Sequence, residues 1–143
     1  MRQQVIDQLK MHFDRFGDLA EALPEGAMTY RLTEPSNTLG AQLGCVASGR
    51  DSYGRAIGQG KWAGWTWAIS SQDTASEGTV ATVLRSTAAN ASSIIDSAVW
   101  TDRTDRYLLG LLEHETMHQG QLLRYGYGLG VEFPKSWADR WGL

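Results

Sequence analysis

Leu111-Leu112-Glu113-His114-Glu115-Thr116-Met117-His118-Gln119-Gly120-Gln121 carries two of the chain's three histidines, four residues apart in an amphipathic run. On an α-helix a step of four stacks two side chains on one face, where two imidazoles can grip a single metal ion. At about 100° per residue, Tyr107, Leu111, His114, His118, Gln121 and Tyr125 fall on one stripe about 80° wide. Both imidazoles therefore point where the apolar residues point. The plainer alternative is a pair of core histidines bonded to carbonyls or tyrosine hydroxyls. Ligand spacing, with Glu115 adjacent, favours the metal.

Outward from this run, the hydrophobic spacing predicts four helices. The first covers about 2–22, with Val5, Leu9, Phe13, Phe16, Leu19 and Leu23 at three- and four-residue steps, and Pro24-Glu25-Gly26 stops it. Residues 30–35 form an extended connector. Ser36 or Asn37 can cap a second helix over about 37–58. Gly40, Gly44, Gly49 and Gly54 weaken it by roughly 1 kcal/mol each against Ala, a cost that close approach by a neighbouring helix or ligand would offset. A Gly/Trp-rich passage over 59–73 follows. Trp62, Trp65 and Trp67 should cover a core edge or line a pocket rather than stay wet. The third helix covers about 74–99. The fourth covers about 102–128, capped by Thr101 or Asp102 and ended by Gly126, Gly128 and Gly130. The tail brings Val131, Phe133, Trp137 and Trp141 back onto the body. Strand alternation is nearly absent, so the fold class is all-α: a four-helix bundle with a long connection between helices 2 and 3.

A chain of 143 residues without repeat, low-complexity tract or linker reads as one domain, 1–143. A formal charge of −3 and the lack of any Lys/Arg block argue against a nucleic-acid partner. The N-terminal run has no apolar signal core, and no later run approaches membrane-spanning length. With a single cysteine, Cys45, no internal disulfide can form, and cytoplasmic residence with no membrane partner is the expectation.

His114-Glu115-Thr116-Met117-His118 also reads as His-Glu-x-x-His, a pattern of zinc hydrolases. That reading needs a third ligand downstream. The extended form would place Gly at 121 and His at 124, where this chain has Gln121 and Arg124. Glu132 and Asp139 lie in a Gly/Pro-broken tail, and no strand precedes the helix.

Two segments together resemble a known family. Ser36-Asn37-Thr38-Leu39-Gly40-Ala41-Gln42-Leu43-Gly44-Cys45-Val46-Ala47 is similar to the start of the second helix of the DinB-like (DinB/YfiT) superfamily of metal-binding bundles. His114-Glu115-Thr116-Met117-His118-Gln119-Gly120-Gln121-Leu122 is similar to its His-x3-His-x-Gly-Gln motif on the last helix. The resemblance implies a metal site of His114, His118 and a residue at the position of Cys45, where the family usually has a histidine. It also implies homodimers, and activities that include thiol-dependent transfer of bacillithiol- or mycothiol-like molecules to electrophiles.

Cys45 admits several readings: a thiolate ligand, a neutral thiol near a weakened site, a reactive thiol activated by the histidines, or a small buried hydrophobe. As a ligand set, Cys45, His114 and His118 leave an open position. The cofactor expected is then a divalent metal, zinc first, with nickel or iron as alternatives. The function expected is a metal-dependent thiol S-transferase acting on a small-molecule thiol or electrophile. The alternative is a non-enzymatic dimeric helical module, metal-binding or metal-free, with the Trp-rich passage as its interface. Glu115 is a candidate base at the site's edge or a solvated face charge, and Gln121 a candidate substrate contact. Arg50, Asp51, Tyr53 and Arg55 form either a mouth or a solvated face, and His12 is read as a satisfied core or surface histidine.

Overall fold

The helical periodicity of the sequence is realised throughout the computed structural model, which describes residues 1–143. The chain is all-α, with helices α1 (Arg2–Ala22), α2 (Leu39–Gln59), α3 (Glu77–Ser97), α4 (Asp102–Leu129) and α5 (Lys135–Trp141) and no strand. No helix is long and apolar enough to cross a membrane.

Boundaries differ from the expected ones where a cap or turn intervenes. α2 starts at Leu39 because the Thr38 side chain, rather than Ser36 or Asn37, accepts from the Ala41 N–H at 3.1 Å. α3 starts at Glu77 because Asp73–Ala75 form a separate 3-10 turn and Ser76 caps the helix. Thr101 caps α4 as expected, in a reciprocal box with Thr104, and Gly130 ends the helix in the left-handed region at φ 67°. The tail forms a fifth helix, whose fully buried Trp137 donates its indole N–H to the Arg15 carbonyl at 2.7 Å.

Side-chain partners fix the directions of the long helices. Arg2 pairs with Asp105 and His12 meets Gln119, so α1 and α4 run together. Gly54 faces Ala91 and Arg50 reaches the Leu84 carbonyl, so α2 and α3 run together. Gly49 faces His114 while Tyr53, four residues on, faces Gly110, so α2 runs against α4 and the two pairs run against each other. Because α2 and α3 are parallel, the chain between them must travel back along the bodies of the helices, as residues 60–76 do.

That crossover lies on α2. The Ser52 hydroxyl accepts from the Thr66 N–H and the Ser48 hydroxyl from the Ala68 N–H, both at 3.0 Å. A Cβ at Gly44 would stand 2.9 Å from Ile69, and one at Gly40 would overlap the Thr74 carbonyl. The four-residue series Gly40, Gly44, Ser48 and Ser52 is thus the seat of the crossover. Its glycines admit the Thr74 carbonyl of the 3-10 turn and the side chains of Ile69 and Thr74, where a neighbouring helix or ligand was one expectation. Gly54 does meet a helix, at ordinary contact with Ala91 and Ile94 of α3.

The core has two apolar clusters. One gathers Phe16, Leu19, Leu43, Leu84, Leu122 and Trp137; the other Leu9, Phe13, Ile57, Ile95, Leu108 and Leu111. Arg50 lies between them, its guanidinium 4.5 Å from the ring centre of Phe13 and 5.3 Å from that of Phe16.

Candidate metal centre

α2 and α4 pack with a four-residue register running in opposite directions, so that Cys45, Gly49 and Tyr53 face the stretch from His118 through His114 to Gly110. Small residues oppose large ones along it. A Cβ at Gly49 would overlap the His114 imidazole, and one at Gly110 would stand 2.8 Å from the Tyr53 ring. Each glycine opens the space its neighbour fills. The sequence marked Gly49 for close approach; it gave no reason to single out Gly110.

At the centre of this seam the ligand atoms of Cys45, His114 and His118 all lie within 4.8 Å of one another. The Cys45 thiol is 3.8 Å from His114 Nε2, and the two imidazole centres are 4.6 Å apart. His118 is buried; Cys45 and His114 are half-buried. Neither ring nitrogen of His118, nor Nδ1 of His114, has a hydrogen-bond partner. Of the five buried side-chain polar atoms that make no hydrogen bond, three belong to these two rings. Buried polar groups are normally satisfied, and orphaned ones call for an explanation. A cation shared by the three residues would take one nitrogen from each ring and so account for part of this deficit, and a soft thiolate plus two imidazoles is a donor set that could hold a divalent metal.

The electrostatics agree with that donor set. Burial and the charge of Arg50 bring the His114 pKa down to about 4. Burial, then the proximity of His114, bring His118 to about 4, and the Gln121 amide, close by but outside hydrogen-bond geometry, opposes the shift. Both rings are therefore neutral near pH 7 and keep a lone pair for a cation. Burial pushes the Cys45 thiol up, so it keeps its proton until a cation displaces it.

The two sides of the seam differ. On the His114 side stand aromatic rings, Trp65 at 5.6 Å and Tyr53 at 6.3 Å between centres, with Trp62 against Tyr53 at 5.1 Å. On the His118 side the seam opens into a cleft of about 570 Å³ reached by Cys45, His118, Gln121, Trp67 and Met117. The Trp-rich crossover therefore lines the site as expected, but its rings stay partly wet, Trp67 being 68% exposed.

Glu115 lies elsewhere. It is fully buried, and both its oxygens accept from Arg50, at 2.7 and 2.9 Å. The third guanidinium nitrogen, Nη1, donates to the Leu84 carbonyl at 3.0 Å, which ties α2, α3 and α4 together. Burial pushes the Glu115 carboxyl up, and Arg50 opposes that shift. Glu115 is therefore not a solvated face charge. The buried face of α4 centres on Leu108, Glu115 and Leu122, about 80° round the helix from Tyr107 and Tyr125. The histidines sit at the flank of that face, beside α2. Arg50, expected on a mouth or a solvated face, is wholly buried, while Asp51 and Arg55 pair at 3.3 Å and hold Thr66 of the crossover. His12 is buried away from the seam, bonded to Gln119, whose carbonyl accepts from the Trp141 indole at 3.3 Å.

Against known proteins, the chain matches no protein-family model and no curated protein.

Proposed function

We propose that this chain is a DinB-like four-helix bundle whose Cys45, His114 and His118 hold a divalent metal, zinc before nickel or iron. On this reading it is a metal-dependent enzyme that transfers a small-molecule thiol to an electrophile. The observation that carries the proposal is that Cys45, His114 and His118 each bring one ligand atom within 4.8 Å of the other two, at the edge of an open cleft, with both ring nitrogens of His118 unpartnered.

A bound cation supplies Lewis acidity, which lowers the pKa of a thiol or water beside it. The rest is the work of the chain. His114 and His118 present neutral nitrogens, and Gly49 leaves the space that lets the His114 ring reach Cys45. Tyr53 and Trp65 keep water from the His114 side, so an incoming group enters past His118 and Gln121. Gln121 offers an amide to orient it. Glu115, committed to Arg50, holds α4 against α2 rather than moving protons.

The overall reaction balances as loss of the thiol proton to solvent, formation of a sulfur–carbon bond, and departure of the leaving group with its electron pair. Elemental analysis of untagged protein tests the site: about one metal ion per chain in the parent, and loss of it in Cys45→Ala and His118→Ala. Consumption of small thiols with monochlorobimane tests the transfer. A metal-free parent protein overturns the site. A metal-loaded protein silent with every thiol favours the second reading, a dimeric binding module, which rests on the exposure of Trp62, Trp65 and Trp67 on one side of the molecule.

A further inference from the structure

The cleft beside the three ligands differs in composition from three other clefts on the surface. None of its thirteen lining residues is Asp, Glu, Lys or Arg. Trp67, Ile69 and Met117 give it apolar walls, and the amides of Asn37, Gln42 and Gln121 give it hydrogen-bonding groups. Three other surface clefts each carry charge: Asp102 and Arg103 in one, Asp14, Asp18, Glu21 and Arg85 in another, Asp14, Arg15 and Asp139 in the third. The nearest charges do not soften the contrast. Arg124, one turn beyond Gln121, is paired with Glu34 at 2.9 Å, and Asp73 adds a negative charge beside Thr74.

Charge balance leads to the same point. One Cys45 thiolate and two neutral imidazoles leave a dication with one net positive charge, and a single incoming thiolate cancels it. A carboxylate on the same ligand then has no cation to meet, and holding it against the apolar walls of this open cleft costs part of its hydration. The volume, about 570 Å³, suits a small molecule.

We infer that this cleft binds an uncharged thiol, with an amide or hydroxyl group on Asn37, Gln42 and Gln121 and an apolar flank on Trp67 and Met117, and that it discriminates against carboxylate-bearing thiols. The thiol end rests on the metal reading above; the neutral end rests on the cleft alone.

A matched series of ligands tests it: N-acetylcysteamine, N-acetylcysteine and N-acetylcysteine amide, which differ in one carboxylate or its neutral amide. Dissociation constants are measured by ligand-observed NMR on metal-free protein and on protein loaded with zinc. The expected result is binding of the two neutral thiols roughly ten-fold tighter or more than the carboxylate, with zinc tightening the thiols. Gln42→Lys, on the rim and outside the ligand set, should narrow that gap to about three-fold or less by giving the carboxylate a partner. Equal or tighter binding of N-acetylcysteine by the unaltered protein overturns the inference, as does failure of all three to bind. Elemental analysis of the same samples keeps the two readings apart. Neutral preference without zinc uptake sinks the metal site and leaves the cleft assignment standing; zinc uptake with carboxylate preference does the reverse.

Discussion

At Glu115 both carboxylate oxygens are matched by Arg50, whose third nitrogen donates to a carbonyl and whose guanidinium lies over two phenyl rings. At His114 and His118, one and three residues away on the same helix, three ring nitrogens meet nothing. Both groups are polar and both are built on α2 and α4, yet their chemistry is opposite. A closed network, with every guanidinium nitrogen and both carboxylate oxygens bonded within the protein, fixes the packing of the helices. An open one contributes nothing to the folded chain until something binds, which is how a site is told from a strut.

The largest expected effect comes from opening the closed network. Glu115→Ala or Arg50→Ala leaves one buried charge without its partner and should cost about 3–5 kcal/mol in urea unfolding. The double change Arg50→Met with Glu115→Leu should recover most of that loss. A single variant costing less than about 1 kcal/mol would break the contrast, since surface pairs already cost that little.

Next in size is closing the open one. Zinc at a hundred times its dissociation constant should stabilise the protein by about 2.7 kcal/mol, with no such gain in His118→Ala. Gly49→Ala sharpens the same point, because its methyl group occupies the place of the His114 ring. Zinc affinity should fall roughly 10–100-fold. The stability of the metal-free chain should change little, since a gain of about 1 kcal/mol in helix propensity offsets the crowding.

Acid should act through all three histidines, His12, His114 and His118, each held at about 4 against an ordinary 6.5. Between those values the unfolded chain binds protons that the folded chain refuses. The part of the metal-free protein's stability that depends on these neutral rings is therefore fully present above pH 6.5 and is lost as pH falls toward 4. Melting temperatures at pH 7, 6 and 5 check this, and a flat profile would show that the rings are less buried than described. The smallest effect is expected for His118→Leu in metal-free protein, about 1 kcal/mol or less in either direction, because the ring nitrogens make no bond to lose. A large loss there would mean that His118 is a strut after all.

Much of the fold was legible in sequence because helical periodicity and punctuation are local. Thr101, Pro24 and Gly130 mark ends, and the spacing of Leu9, Phe13 and Phe16 marks a buried face. The Trp137 helix was less so: seven residues carry too few turns for a period to show. The histidine pair was legible for the same local reason, since a step of four needs only one helix. The resemblance, not the spacing, pointed to Cys45.

What sequence could not decide was the job of Glu115. Its neighbour His114 and the pattern His-Glu-x-x-His suggested a base, and angle alone left it at the site's edge. Its buried position is set by Arg50, sixty-five residues away on another helix. Local sequence determined which residues share a helix face, because backbone geometry fixes that. Only tertiary packing decided which of those polar residues were satisfied, because a hydrogen bond needs a partner that the helix itself does not carry.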